Sequence, residues 1–412
     1  MEPNDAVAPE NPSEISLPKK ENRLKVGDVV IVEIGPVAHG GHFIARYEGQ
    51  VIFVRHGITG EKARVEVTAV ASKIVRGDAI EILEASSKRV VPPCHFSGPR
   101  GCGGCDFQHI EIGFQRELKA TIIAEQFARV AKVECAPIVE GVYPESGLDW
   151  RTRMDFAISP AGELGLYASR SNDVVAIDDC LIAVAEMNIP ALSSRKWSGD
   201  QRVEAAVSSS GEVNISRGGR SISGPTQLHE VVGAHTFEIS PQAFWQSHKS
   251  APETLVAAAV SELDLQYGDH VCDLYGGVGL FSAEIARIVG SSGKVHLIES
   301  DKRAIASANR IFADRKNVHI HEGTVESQLP KLSRVDVILL DPPRTGAGEM
   351  VVTSILRHKP RTIVYISCDP ASMARDSKFF LDAGYEMDHI VGFDLFPMTQ
   401  HVETVAKFSR QK

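Results

Sequence analysis

Val271-Cys272-Asp273-Leu274-Tyr275-Gly276-Gly277-Val278-Gly279 is an apolar run that breaks into a glycine turn just before a helix-like stretch from Leu280. A strand ending in such a turn lets backbone approach a ligand closely at the helix N-terminus. Outward from it, strand-like and helix-like stretches alternate. They are Val295 to Glu299, a helix from Lys302, Val318 to His321, Val335 to Leu340, Ile363 to Ser367, a helix from Ala371 to Ala383, Ile390 to Phe393 and Val402 to Phe408. This alternation predicts an α/β fold with a doubly wound parallel sheet. Ligands of such sheets bind outside the carboxyl ends of the strands, so the residues that close each run are the candidates for a site.

Asp273 closes the first run, and Glu299 closes the next, where an acidic residue accepts hydrogen bonds from ribose hydroxyls. The glycine spacing departs from Gly-x-Gly-x-x-Gly. That disfavours a dehydrogenase and suits a nucleoside ligand without a pyrophosphate. Asp341-Pro342-Pro343-Arg344 puts a carboxylate before two residues that cannot continue a strand. A tyrosine after the prolines would point to methylation of an amino group; Arg344 does not. Ile363 to Ser367 then delivers Cys368 to the turn Asp369-Pro370, where access and nearby dipoles are expected to stabilise a thiolate, making Cys368 a nucleophile candidate. Cys135 and Cys272 read as inert buried thiols. Glu403, in His401-Val402-Glu403-Thr404-Val405, supplies a carboxylate where the last apolar run begins.

The chain has 412 residues, 43% hydrophobic and 24% charged, the composition of an ordinary globular protein of two or three domains. No apolar run approaches a membrane span, and the N-terminus lacks the pattern of a signal peptide, so a cytoplasmic protein without membrane association is expected. Residues 1–18 carry four carboxylates and no Lys or Arg, and read as a disordered tail. From Lys25 come short β-type runs punctuated by glycine: Val29 to Ile34, Phe43 to Arg46, Val51 to Val54, Ala63 to Val70 and Ala79 to Leu83. They predict a small five-stranded barrel of the oligonucleotide-binding type over residues 19–88. A central region, 89–245, opens with a cysteine loop, continues with a helix from Ile112 to about Val130, and turns strand-rich after residue 150, with hairpin signals at Ser159-Pro160-Ala161-Gly162 and Ser210-Gly211. The catalytic domain takes 246–412.

Cys94, Cys102 and Cys105 are spaced by glycines that let backbone turn around an inorganic core, and Cys180 supplies a fourth thiolate. Such a set fits an iron–sulfur cluster, with tetrahedral zinc as the competitor. The formal charge of -9 argues against a nucleic-acid partner. A local groove can still be basic; Arg151, Arg153, Arg170, Arg217 and Arg220 are its candidates.

The glycine loop 273–279, Asp341-Pro342-Pro343-Arg344-Thr345-Gly346, Ser367-Cys368-Asp369-Pro370 and Phe393-Asp394-Leu395-Phe396-Pro397 with His401-Val402-Glu403 together resemble a TRAM-domain RNA uracil-C5 methyltransferase. This is a class I family that depends on S-adenosyl-L-methionine. The barrel and the cysteine loop extend the likeness over nearly the whole chain. The resemblance implies that Gln246, Tyr275, Glu299 and Asp341 contact S-adenosylmethionine, that Cys368 is the nucleophile and Glu403 the base, and that the barrel is a TRAM domain that binds RNA. It implies a [4Fe–4S] cluster on Cys94, Cys102, Cys105 and Cys180, although the gap from Cys94 to Cys102 is longer than in family members with the tightest loop. It further implies a monomer acting on RNA of the 23S ribosomal type. A transfer RNA uridine and an inactive RNA-binding protein on the same scaffold are the alternatives. Cytosine-C5 enzymes carry their cysteine after the fourth strand, where this chain has Pro342-Pro343.

Overall fold

Alternate residues of β1 (Val29–Ala38) point inward: Val30, Val32 and Ile34 are buried while Val29, Ile31 and Glu33 face solvent. This period of two continues through β2 (His42–Tyr47), β3 (Gln50–Arg55), β4 (Lys62–Ala71) and β5 (Ile74–Glu84), and the five strands close as a barrel in the order β1-β2-β3-β5-β4. The computed structural model describes residues 24–71 and 74–410; the expected tail over 1–18 lies outside the described residues. Phe43, Ile52, Val54, Ala63 and Val65 fill the barrel. Its core extends to Phe107, Ile110, Leu118 and Ile122, so the cysteine loop and the following helix α1 (Ile112–Gln126) pack against it. Glu61, fully buried, accepts hydrogen bonds from Arg89 Nε (2.6 Å) and Nη2 (2.7 Å) and from the backbone of Ile58 (2.8 Å) and Ser86 (3.1 Å).

After α1 and one π-helical turn the short strand β6 (Val139–Gly141) leads into the central region. There β7 (Arg153–Ile158), β8 (Leu164–Tyr167), β9 (Val174–Ala176), a short helix α2 (Ile189–Ser193), β10 (Val203–Val207), β11 (Val213–Arg217) and β12 (Arg220–Ser223) build a sheet of order β12-β11-β10-β7-β8-β9. Both expected hairpins form, β7 with β8 and β10 with β11. A separate hairpin, β13 (Leu228–Val232) with β14 (His235–Ile239), precedes helix α3 (Ala251–Glu262).

The large sheet alternates β15 (His270–Leu274), α4 (Leu280–Val289), β16 (Lys294–Glu299), α5 (Lys302–Ile311), β17 (Val318–Glu322), α6 (Val325–Gln328), β18 (Val337–Leu340), α7 (Gly348–His358), β19 (Thr362–Ser367), α8 (Pro370–Asp382), β20 (Tyr385–Asp394) and β21 (Glu403–Arg410). Every residue of β18 and β19 is buried, as central strands covered on both faces require. One face packs under α3 and α4, the other under α7, α8 and the end of α1. The spatial order is β17-β16-β15-β18-β19-β21-β20-β6. The sheet is not wholly parallel: β21 runs antiparallel to both β19 and β20. The link from β20 to β21 spans only 395–402 and carries no helix, so the chain returns in the opposite sense. Among the described residues no helix is long and apolar enough to cross a membrane.

Candidate active site

The carboxyl ends of β15, β16, β18 and β19 and the start of β21 lie at one edge of the sheet. After β15, Tyr275 takes a left-handed backbone (φ +61) and Gly277 and Gly279 follow at φ +56 and +95. Gly279 has no freedom for another reason too: a Cβ there would stand 2.3 Å from the Phe312 ring. Glu299 bridges the two loops, its Oε2 accepting from Gly277 N (2.9 Å) and its Oε1 from Ser300 N (2.6 Å) and Asp301 N (2.7 Å). Asp273 is fully buried; its Oδ2 accepts from Ser282 N (3.1 Å) and Ser282 Oγ (2.6 Å), while Oδ1 has no partner. Burial pushes this carboxyl up to about 7. Asp341, at the tip of β18, is raised as well, first by desolvation and then by Asp273.

The β19–β21 register pairs Ser367 with Thr404, which brings Cys368 and Glu403 to facing positions at the strand ends. Glu403 is almost fully buried, and desolvation, then the Asp341 charge, hold its carboxyl well above the usual range, with Arg344 pulling the other way. Asp369 caps α8, accepting from Ser372 N at 2.7 Å, with Pro370 at the first helical position. The expectation of a ready thiolate is not met. Burial and the carboxylates of Glu403, Asp341 and Asp369 push the Cys368 thiol up to about 12, and Arg344 is the cation that opposes them. The short strand-end turn does expose the thiol, which is half-buried, but it gathers negative charge around it.

Sequence reading missed the groups around this pair. His401, on the link before Glu403, lies 3.4 Å from Arg344 Nη2, and burial lowers its pKa to about 4. The link itself is clamped from the cysteine loop and α1: Phe107 N donates to Met398 O (2.9 Å), Met398 N to Gln115 Oε1 (2.9 Å), and buried Lys119 pairs with Asp394 (2.5 Å). Gln246 is half-buried on the segment between β14 and α3, next to Ser247, whose carbonyl accepts from Thr152 N (2.8 Å). That segment borders a cavity of about 640 Å³ lined by Arg151, Arg202, Asn214, Gln242, Phe244 and Arg303, with Phe244 exposed. Of the candidate groove, Arg151 and Arg153 line this cavity and Arg170 and Arg220 are exposed. Arg153 is not free: it is largely buried and paired with Glu230 of β13 at 3.3 Å.

Cys102, Cys105 and Cys180 come together with Cys94, close enough that each of the other three thiols adds to the burial that raises Cys105. Gly104 N donates to Cys102 Sγ (3.4 Å), Ala183 N donates to the Cys180 carbonyl (3.0 Å), and a Cβ at Gly103 would stand 2.7 Å from Ser169 N. Among the described residues no group of three or more His, Cys, Asp or Glu side chains is arranged to hold a metal ion, which bears on the iron–sulfur and the zinc expectations alike.

A TRAM-domain model matches residues 23–80, and a family model described as tRNA (Uracil-5-)-methyltransferase matches residues 234–411. An uncharacterized RNA methyltransferase of Streptomyces coelicolor is 40% identical, the alignment covering 95% of each chain. The 23S rRNA (uracil(1939)-C(5))-methyltransferase RlmD of Shewanella piezotolerans is 29% identical over 95% of this chain and 98% of its own. In fold, the chain is similar to the tRNA (uracil-54, C5)-methyltransferase of Pyrococcus abyssi solved with S-adenosyl-L-homocysteine, with a TM-score of 0.69 and 23% identity over 91% of this chain and 99% of that one.

Proposed function

This chain belongs to the TRAM-domain RNA uracil-C5 methyltransferases that depend on S-adenosylmethionine, and from that premise we propose that it methylates C5 of a uridine in 23S ribosomal RNA through a covalent bond to Cys368. The observation that carries this reading is the facing of Cys368 and Glu403 across the Ser367–Thr404 register. S-adenosylmethionine supplies a methyl group on a sulfonium. Tyr275, Glu299, Asp341 and Gln246 are the residues that would hold it, and the left-handed turn at 275–279 with the Glu299 carboxylate beside it fits a nucleoside.

Uracil C5 is a weak nucleophile in the neutral ring. The half-buried Cys368 thiol gives its proton to solvent, and addition of its sulfur to C6 pushes the ring electrons to C5, which then takes the methyl group from the sulfonium. The C5 proton goes to Glu403, and the electrons released re-form the C5–C6 double bond and expel the Cys368 thiolate. Because the thiol must reach a ring face, the uridine leaves its stack, and the cavity lined by Arg151, Arg202 and Phe244 offers cations and an aromatic face to the flanking RNA. A ribosomal target is supported by the RlmD likeness, which runs through the barrel. The deciding experiment compares methyl transfer to 23S and transfer RNA transcripts by wild type and Cys368→Ala. Loss of at least about 10⁴-fold is expected in the variant; retained turnover would exclude Cys368 as nucleophile, and transfer to the transfer RNA alone would move the substrate.

The same reading places a [4Fe–4S] cluster on Cys94, Cys102, Cys105 and Cys180. The mutual influence of the four thiols, the backbone donor on Cys102 and the glycine cradle support it. Each of the four thiolates would hold its own iron, so they need not converge on one point. Its contribution is to folding, tying the loop before α1 to the central region. Cys180→Ser should lower iron content in anaerobic preparations and lower the melting temperature; full iron and an unchanged melt would remove Cys180 from the set.

A further inference from the structure

The turn between β1 and β2 leaves the barrel and seats on the catalytic edge of the sheet. His39 Nε2 lies 3.1 Å from Asp369 Oδ2, 330 residues away in the chain. Two residues on, Gly41 (φ +72) packs so tightly that a Cβ there would stand 2.4 Å from Gln400 Cβ. The turn therefore touches both segments that deliver the facing pair, the one after Cys368 and the one before Glu403. Asp369 is held at both oxygens, Oδ1 by Ser372 N and Oδ2 by His39. Its backbone is held too, with Asp369 N donating to Ser367 Oγ at 3.1 Å. Burial alone would raise this carboxyl; the hydrogen bonds from His39 and Ser372 outweigh it and keep Asp369 ionised down to about 2.

We propose that His39 is a positioning residue of the active site, which by binding Asp369 fixes the turn that carries Cys368. The consequence is that seating of the barrel prepares the nucleophile, so RNA held by the barrel meets a thiol whose placement already depends on that barrel. The inference rests on the reading of Cys368 as nucleophile. The other charged or titratable groups facing this turn are Asp341 and Arg344 after β18, Glu403 on β21 and His401 on the link before it.

The test is the rate at which iodoacetamide alkylates Cys368, followed on the Cys368 peptide by mass spectrometry as a function of pH, in wild type, His39→Ala, Asp369→Asn and the double variant. His39→Ala should slow alkylation by about two- to fivefold at neutral pH, the scale of one partly exposed polar pair, because the turn that carries the thiol is no longer fixed. In the Asp369→Asn background, which keeps the helix cap, the same substitution should have no further effect. His39→Gln, which keeps a donor for Asp369, should melt as wild type and restore the wild-type rate. A wild-type rate in His39→Ala, an equal slowing with and without Asp369, or no rescue by His39→Gln would each overturn the proposal. Turnover retained in Cys368→Ala would instead overturn the nucleophile assignment, and the alkylation readout tells the two failures apart.

Discussion

Of the buried glutamates, Glu61 in the barrel and Glu403 in the sheet are treated in opposite ways. Glu61 lies under four donors, two from Arg89 and two from backbone N–H groups. Glu403 lies beside another carboxylate, Asp341, with only Arg344 to offset the two. A buried charge whose lone pairs are all met is architecture, because removing it strands its donors. A buried carboxyl left short of partners and pushed above its usual range is what proton transfer near neutral pH needs.

The largest effect should come from the unsatisfied member. Glu403→Gln should cut methyl transfer by about 10²- to 10⁴-fold, the usual worth of a general base, and leave RNA attached to Cys368 because the C5 proton stays in place. Denaturing electrophoresis would show the adduct. The substitution should not lower the melting temperature, since a neutral amide replaces a poorly solvated acid; a large loss of stability with turnover kept would break the comparison.

Glu61→Ala should do the reverse. Leaving Arg89 and two N–H groups without an acceptor should cost about 3–5 kcal/mol in denaturant titrations, while folded molecules methylate at nearly the wild-type rate. A stable but inactive variant would show that Glu61 is more than a structural plug.

The smallest effect sharpens the contrast through pH. Asp273 rises from 3.8 unfolded to about 7 folded, so the folded state binds the proton more tightly. Its stabilising contribution is complete below about pH 4 and lost as pH rises through 7. Asp273→Asn should therefore be more stable than wild type at pH 8, by on the order of 1 kcal/mol, with the advantage gone near pH 4. An advantage that is the same at both pH values would mean the charge of Asp273 is not the cause.

These differences also mark how far the sequence could be read. The strand tips were legible because an apolar run followed by Gly-Gly, Pro-Pro or Cys-Asp-Pro states both a strand and its end. The five barrel strands were legible for the same reason. Helix α7 was not, since it opens at Ala347 without a side-chain cap after a proline and glycine loop that reads as irregular. The direction of β21 was hidden because strand composition carries no sense of direction. Arg153 looked like part of a basic surface until Glu230, 77 residues away, took it inside. His39, Glu61 and Lys119 carry no local signal; what they do is decided by partners far along the chain, which local spacing cannot reveal. The charge around Cys368 was misjudged for the same reason, because Glu403 and Asp341 reach it from other strands.

The place of β21 has a consequence for synthesis. It lies between β19 and β20 in space but follows both in the chain. While a nascent chain is still short of residue 403, β20 has no neighbour on its inner side and β6 has nothing to bind it to the rest of the sheet. The thiol strand is by then already made. Its facing partner Glu403 arrives only with the strand that locks the sheet, so a chain interrupted before that point carries Cys368 on a sheet that is not yet closed.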